Sequence, residues 1–139
     1  MSEQKNNNQF DLGKQYLEEA YKKAVEKEKE ILEKIQPEID FLISVLVGVL
    51  KQKVEMNEFS NLHGRLDFAV TIHLEKYKGR LPICFYPSYG DRPSKEKILS
   101  SDYLGRSIQE FLTKVFEQSN YSCECSFDHH SFDLKVRRK

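Results

Sequence analysis

Apolar residues recur every three or four positions early in the chain and every second position across much of the rest, which predicts helices first and strands later. Over 11–36, Leu17, Tyr21, Ala24, Ile31 and Ile35 form one helical stripe, widened by Ala20, Val25 and Leu32. Glu28 is the one charge read on that stripe, and it argues against a long uninterrupted coiled coil. The other faces are Glu and Lys. Glu18–Lys22, Glu19–Lys23 and Glu30–Lys34 are i,i+4 pairs in the favoured order, and the run EKEKE over 26–30 reads as a solvated face. Residues 1–9, with Asn6, Asn7 and Asn8, read as a disordered tail.

Pro37 begins a second helix or kinks a continuing one. Beyond it the segment 39–50, IDFLISVLVGVL, is apolar all round apart from Asp40 and Ser44, and its stripe continues through Val54 toward Met56. A helix apolar on every side needs cover on more than one side: a second helix, a second copy of the chain or a partner. The length of the arm points the same way. A helix over 11–36 is about 39 Å long at 1.5 Å per residue, against roughly 17–20 Å for a typical strand.

The period then changes. Leu66, Phe68, Val70, Ile72 and Leu74 alternate with polar or small residues, predicting a strand. Residues 76–79 supply a turn. Leu81, Ile83 and Phe85 read as a partner strand, at an edge because of Pro82. The Pro- and Gly-containing stretch 86–93 is a loop. Ser94 caps a helix over 94–118 that carries Leu104, Ile108, Phe111, Leu112 and Val115 on one face, with Ser100, Ser101 and Asp102 as an alternative start. Tyr121, Cys123, Cys125 and Phe127, then Phe132, Leu134 and Val136, alternate about a turn at 128–131 as a C-terminal hairpin. The expected fold is α+β. A long N-terminal helical arm and a second helix pack on a four-stranded antiparallel sheet in the order α-ββ-α-ββ. After the tail, 10–139 reads as a single domain, with the arm over 10–57 and a ββαββ unit over 65–139.

Composition narrows the function classes. The 139 residues carry 22 basic and 22 acidic side chains, a formal net charge of zero, so no global field draws the chain to nucleic acid or anionic lipid. The polar start MSEQKNNNQF lacks a signal-peptide core. The 39–50 run, at about 12 residues, is short of the roughly 20 needed to span a bilayer. It also lacks the charged face of an interfacial helix. Three Cys make no disulfide framework. The expectation is a cytoplasmic protein without membrane attachment.

Candidate chemistry is sparse. Cys123, Cys125, His129 and His130 supply two thiols and two imidazoles for a zinc site, but their spacing matches no common structural zinc motif. Two Cys on a core-facing strand need no metal, since free Cys is among the most buried residue types. Asp67 and Glu75 stand roughly 26 Å apart in an extended strand and share no ion. No phosphate loop and no nucleophile elbow is present. The chain therefore reads as a non-enzymatic protein with no cofactor. The leading expectation is a protein-binding module of the adaptor, inhibitor, immunity or small-chaperone kind. It would act through an apolar helix face, with homodimerisation or a protein partner. Interface residues are placed at Tyr21, Ile31, Leu42, Leu46, Val49 and Leu50, with intrachain core as the competing reading. The alternative is nucleic-acid binding. Residues 65–97 hold a small basic excess and interleaved Tyr77, Tyr86 and Tyr89, and Lys76, Lys78, Arg80, Arg137 and Arg138 would contact phosphates.

Overall fold

The computed structural model of the chain describes the backbone of residues 2–55, 60–62 and 65–138, and side chains over 8–53 and 69–138. Met56, Lys139 and the side chains of Val54, Leu66, Asp67 and Phe68 lie outside the described residues. The chain divides into two compact units, Met1–Lys34 and Ile35–Lys139.

The first unit is helical. It belongs to α1, Ser2–Glu55, which takes in the stretch read from sequence as a tail and has Pro37 inside it. Asn costs only a few tenths of a kcal/mol per residue in a helix, so three of them do not prevent one. In this unit Phe10, Leu12, Tyr16, Leu17, Tyr21 and Val25 are exposed, while Ile31 is buried.

The second unit is α+β. Its sheet is made by three long antiparallel strands, β2 (Arg65–His73), β3 (Tyr121–Phe127) and β4 (Ser131–Arg138), with a three-residue strand β1 (Ser60–Leu62) at one edge. The order is β1-β2-β4-β3, so the C-terminal hairpin places β4 beside β2. Val70 faces Leu134 and Ile72 faces Phe132 across β2 and β4, and Cys125 faces Leu134 across β3 and β4. Period-two alternation sends these side chains to the covered face of the sheet. Ala69, Thr71, Glu124, Ser126, Asp133 and Lys135 are exposed on the other, where Thr71 Oγ1 donates to Asp133 Oδ1 at 2.7 Å.

The expected fourth full strand is not matched, because the strand read over 81–85 does not form; the sheet has three long strands, joined at one edge only by the three-residue β1 that precedes β2. After β2 the chain turns through a 3-10 helix, Leu74–Arg80, and Phe85 N donates to the Leu81 carbonyl at 3.0 Å. Leu81 and Cys84 are buried and Ile83 is 38% exposed, the spacing of a turn rather than of a strand. Pro82 has no N–H for a ladder. The amides of Ile83 and Cys84 find their acceptor elsewhere, in the Glu38 carboxylate.

The second helix, α2, spans Lys95–Glu117 with Ser94 as its N-cap, the hydroxyl accepting from Lys97 N at 3.2 Å. Leu104, Ile108 and Leu112 are buried, and so are Ser100 and Ser101, so these serines lie inside the helix and do not start it. Gly105 is required by close approach: the Phe127 ring of β3 lies where a Cβ would stand. Within this unit Ile35, Ile39, Leu42 and Leu46 of α1 are buried, and Leu42 and Leu46 line one small apolar space with Ile72, Ile108 and Phe132. Intrachain packing thus covers one stripe of the 39–50 segment. Val47, on another side of the same segment, is 53% exposed and is not covered within the chain.

Candidate protein-binding surfaces

The residues placed at an interface from sequence separate into two groups. Ile31, Leu42 and Leu46 are buried within the chain, the last two in the core just described. Val49 and Leu50 are half-buried. Tyr21 alone among the six is exposed, at 67%. It is accompanied by residues not singled out as contacts: Phe10, Leu12, Tyr16, Leu17 and Val25. Phe10, Leu17 and Tyr21 lie within about 40° of one another on a helical wheel at 3.6 residues per turn, with Ala24 beside them. The Lys14 ammonium lies 4.9 Å from the centroid of the Phe10 ring, over the same stripe. The sequence signal was the stripe itself. What it lacked was any sign of which part the fold would cover.

The basic residues do not form one patch. Lys76, Lys78 and Arg80 lie on the 3-10 helix after β2, where His73 pairs with Ser131. Arg137 pairs with Asp67 near the other end of β2, six residues or roughly 20 Å away along the strand. Arg138 is beside Tyr121, its Nη1 donating to the hydroxyl at 3.3 Å. Arg80 packs 4.5 Å from the Phe41 ring centroid, and Phe41 meets Tyr77 edge-on at 5.7 Å. These aromatic contacts hold the 3-10 helix against α1. The separation divides the expected phosphate-binding set between two ends of the sheet.

The Cys–His set does not converge. Cys123 and Cys125 are half-buried on the covered face of β3, and burial pushes both thiols up. Among the described residues, no group of three or more His, Cys, Asp or Glu side chains is placed to hold a metal ion. The histidines take part in a different arrangement at the hairpin turn. Asp128 Oδ1 accepts from His130 N at 2.7 Å and Ser131 N at 2.8 Å, and these bonds hold its carboxyl below the usual range. His129 stacks on Tyr86, centroids 4.5 Å apart, and its ring also meets His130 at 3.6 Å. This ties the 86–93 loop to the hairpin, a contact the sequence did not suggest.

Burial, and then the neighbouring His130, lowers the His129 pKa from its ordinary 6.5. The folded chain then binds fewer protons at His129 than the unfolded chain. Its contribution to stability is therefore complete above pH 6.5 and is lost as pH falls through the lowered folded value. The loss at Asp128 comes lower, below its ordinary 3.8. Asp128, His130, Tyr86 and, from α2, Asp102 are the titratable groups around this stack. Between pH 7 and pH 5 the melting temperature of the wild type is expected to fall more steeply than that of His129→Gln. Identical slopes would mean that the stack makes no pH-dependent contribution.

One buried carboxylate was also missed. Glu38 is 4% exposed, and its Oε1 accepts from Ile83 N at 2.8 Å and Cys84 N at 3.3 Å. Cys84 Sγ is 3.4 Å from Glu38 Oε2 and 3.6 Å from the Ser100 carbonyl, two acceptors for one proton. Burial and the adjoining carboxylate push this thiol far above the ordinary range, which makes it a structural donor and a poor nucleophile.

Among the described residues no helix is long and apolar enough to cross a membrane. No family model, curated protein or solved structure matches the chain.

Proposed function

We propose that this protein is a non-enzymatic protein-binding module whose contact surface is the exposed apolar stripe of the N-terminal part of α1. The observation that carries the reading is the exposure of Phe10, Leu17 and Tyr21, at 66, 71 and 67%, on one helical face. Single exposed apolar residues are ordinary, whereas several large ones aligned on one helical face mark an interaction surface. Aromatic side chains favour this use, because they bring much contact area at small cost in rotamer freedom. The second unit has its own core, in which Leu42 and Leu46 are already occupied.

The reading predicts face-resolved contact. A photo-reactive side chain at position 17 or 21, introduced into the full chain in its own host, is expected to cross-link to protein. The same group at position 19 or 22, on other faces of the helix, is not.

A further inference from the structure

Two charges interrupt the stripe, exposed Lys14 and half-buried Glu28, and they are opposite in sign and equidistant from Tyr21 in sequence. Seven residues are nearly two turns, so Lys14, Tyr21 and Glu28 fall on one side of the helix. We propose that the occupant of this stripe is the same stripe of a second copy, laid antiparallel with a two-fold axis beside Tyr21. The inference rests on the reading of the arm as a protein-binding surface and names its partner.

The charges select this arrangement. With Tyr21 opposite the partner's Tyr21, Lys14 stands level with the partner's Glu28, and Glu28 with the partner's Lys14. Leu17 then meets the partner's Val25. The two-fold repeats each contact, so one complementary pair becomes two. Parallel pairing would set Lys14 against the partner's Lys14 and Glu28 against the partner's Glu28. A slip of seven residues in either direction places Tyr21 against one of these charges. Charge register of this kind fixes orientation in helix pairs.

The available area fits a reversible pair. Phe10, Leu17 and Tyr21 are about two-thirds exposed and Val25 is 46% exposed. With an aromatic side chain burying about 150–250 Å² when covered, the four offer on the order of 500 Å² per copy. The pair then buries about 1,000 Å², below the roughly 1,200–2,000 Å² of stable specific interfaces and in the range of weak, reversible ones. The sheet offers a poorer self-pairing surface. Its end strand β3 carries Glu124 at the centre, which would face the partner's Glu124 if two β3 edges met in that register.

Sedimentation velocity of the full chain over a series of micromolar concentrations tests the pairing. The wild type is expected to reach the mass of a dimer as concentration rises. Lys14→Glu and Glu28→Lys are each expected to weaken association about tenfold, since each replaces two attractions by two repulsions. The double variant Lys14→Glu/Glu28→Lys restores the attractions and is expected to recover wild-type association. Melting curves of all three should match the wild type, which separates loss of pairing from loss of fold. A double variant no better than the singles overturns the register. A wild type that stays monomeric overturns the dimer. If its arm then cross-links from position 17 to a different protein, the protein-binding reading stands while this inference falls.

Discussion

Leu46→Asp is expected to unfold the Ile35–Lys139 unit. Leu46 is 1% exposed and shares its surroundings with Leu42, Ile72, Ile108 and Phe132, all of them apolar. Removing a buried Leu side chain costs about 2–5 kcal/mol. The aspartate adds the cost of a carboxylate with no partner in that space, or of the proton needed to neutralise it. Against a typical domain stability of about 5–15 kcal/mol, the two together remove most or all of the native state. Far-ultraviolet circular dichroism should show loss of the sheet signal or a melting temperature lowered by tens of degrees. A folded Leu46→Asp protein that melts like the wild type would make Leu46 a surface residue, as the interface reading of the sequence had it.

Glu38→Ala should be the next most damaging change. The carboxylate is the acceptor for the Ile83 and Cys84 amides and lies against the Cys84 thiol. Alanine leaves the two amides without this acceptor, in a site where Cys84 is 1% exposed, while the thiol keeps the Ser100 carbonyl. Hydrogen bonds to a charged group contribute about 1.5–3 kcal/mol each, and an orphaned buried donor costs a further desolvation penalty. A loss of about 3–6 kcal/mol is expected, read as a lower urea midpoint with unchanged slope. Glu38→Gln keeps one acceptor oxygen and should fall between alanine and the wild type. Amide exchange at Ile83 and Cys84 should accelerate selectively. Equal midpoints for Glu38→Ala and the wild type would show that the turn over 81–85 holds without the carboxylate.

These two residues also show how far the sequence was legible. Local chemistry carried through. Ser94 before a stripe at helical spacing marked α2, the alternation about Val70 and Ile72 marked β2, and the residues around Asp128 marked the hairpin. The strand expected over 81–85 failed because Leu81, Ile83 and Phe85 alternate in sequence while the Ile83 amide is claimed by the Glu38 side chain 45 residues away and the Phe85 amide by the Leu81 carbonyl. No local pattern encodes a distant acceptor. The proposed contact surface was half legible for the same reason. Tyr21 and Leu42 belong to one run of apolar spacings, and periodicity cannot say that Leu42 is covered by Ile72, Ile108 and Phe132 while Tyr21 is not. The basic set from Lys76 to Arg138 looked like one patch only because sequence distance hides strand direction. The register of β2 with β4 separates its members.

The central claim is that the stripe through Leu17 and Tyr21 is the surface this protein presents to other protein. Photo-cross-linking in the native host, position by position along the arm, tests it most directly. Adducts of protein mass from positions 17 and 21, with none from 19 and 22, are the predicted result. Adducts of equal yield from all four positions, or from none, would contradict it.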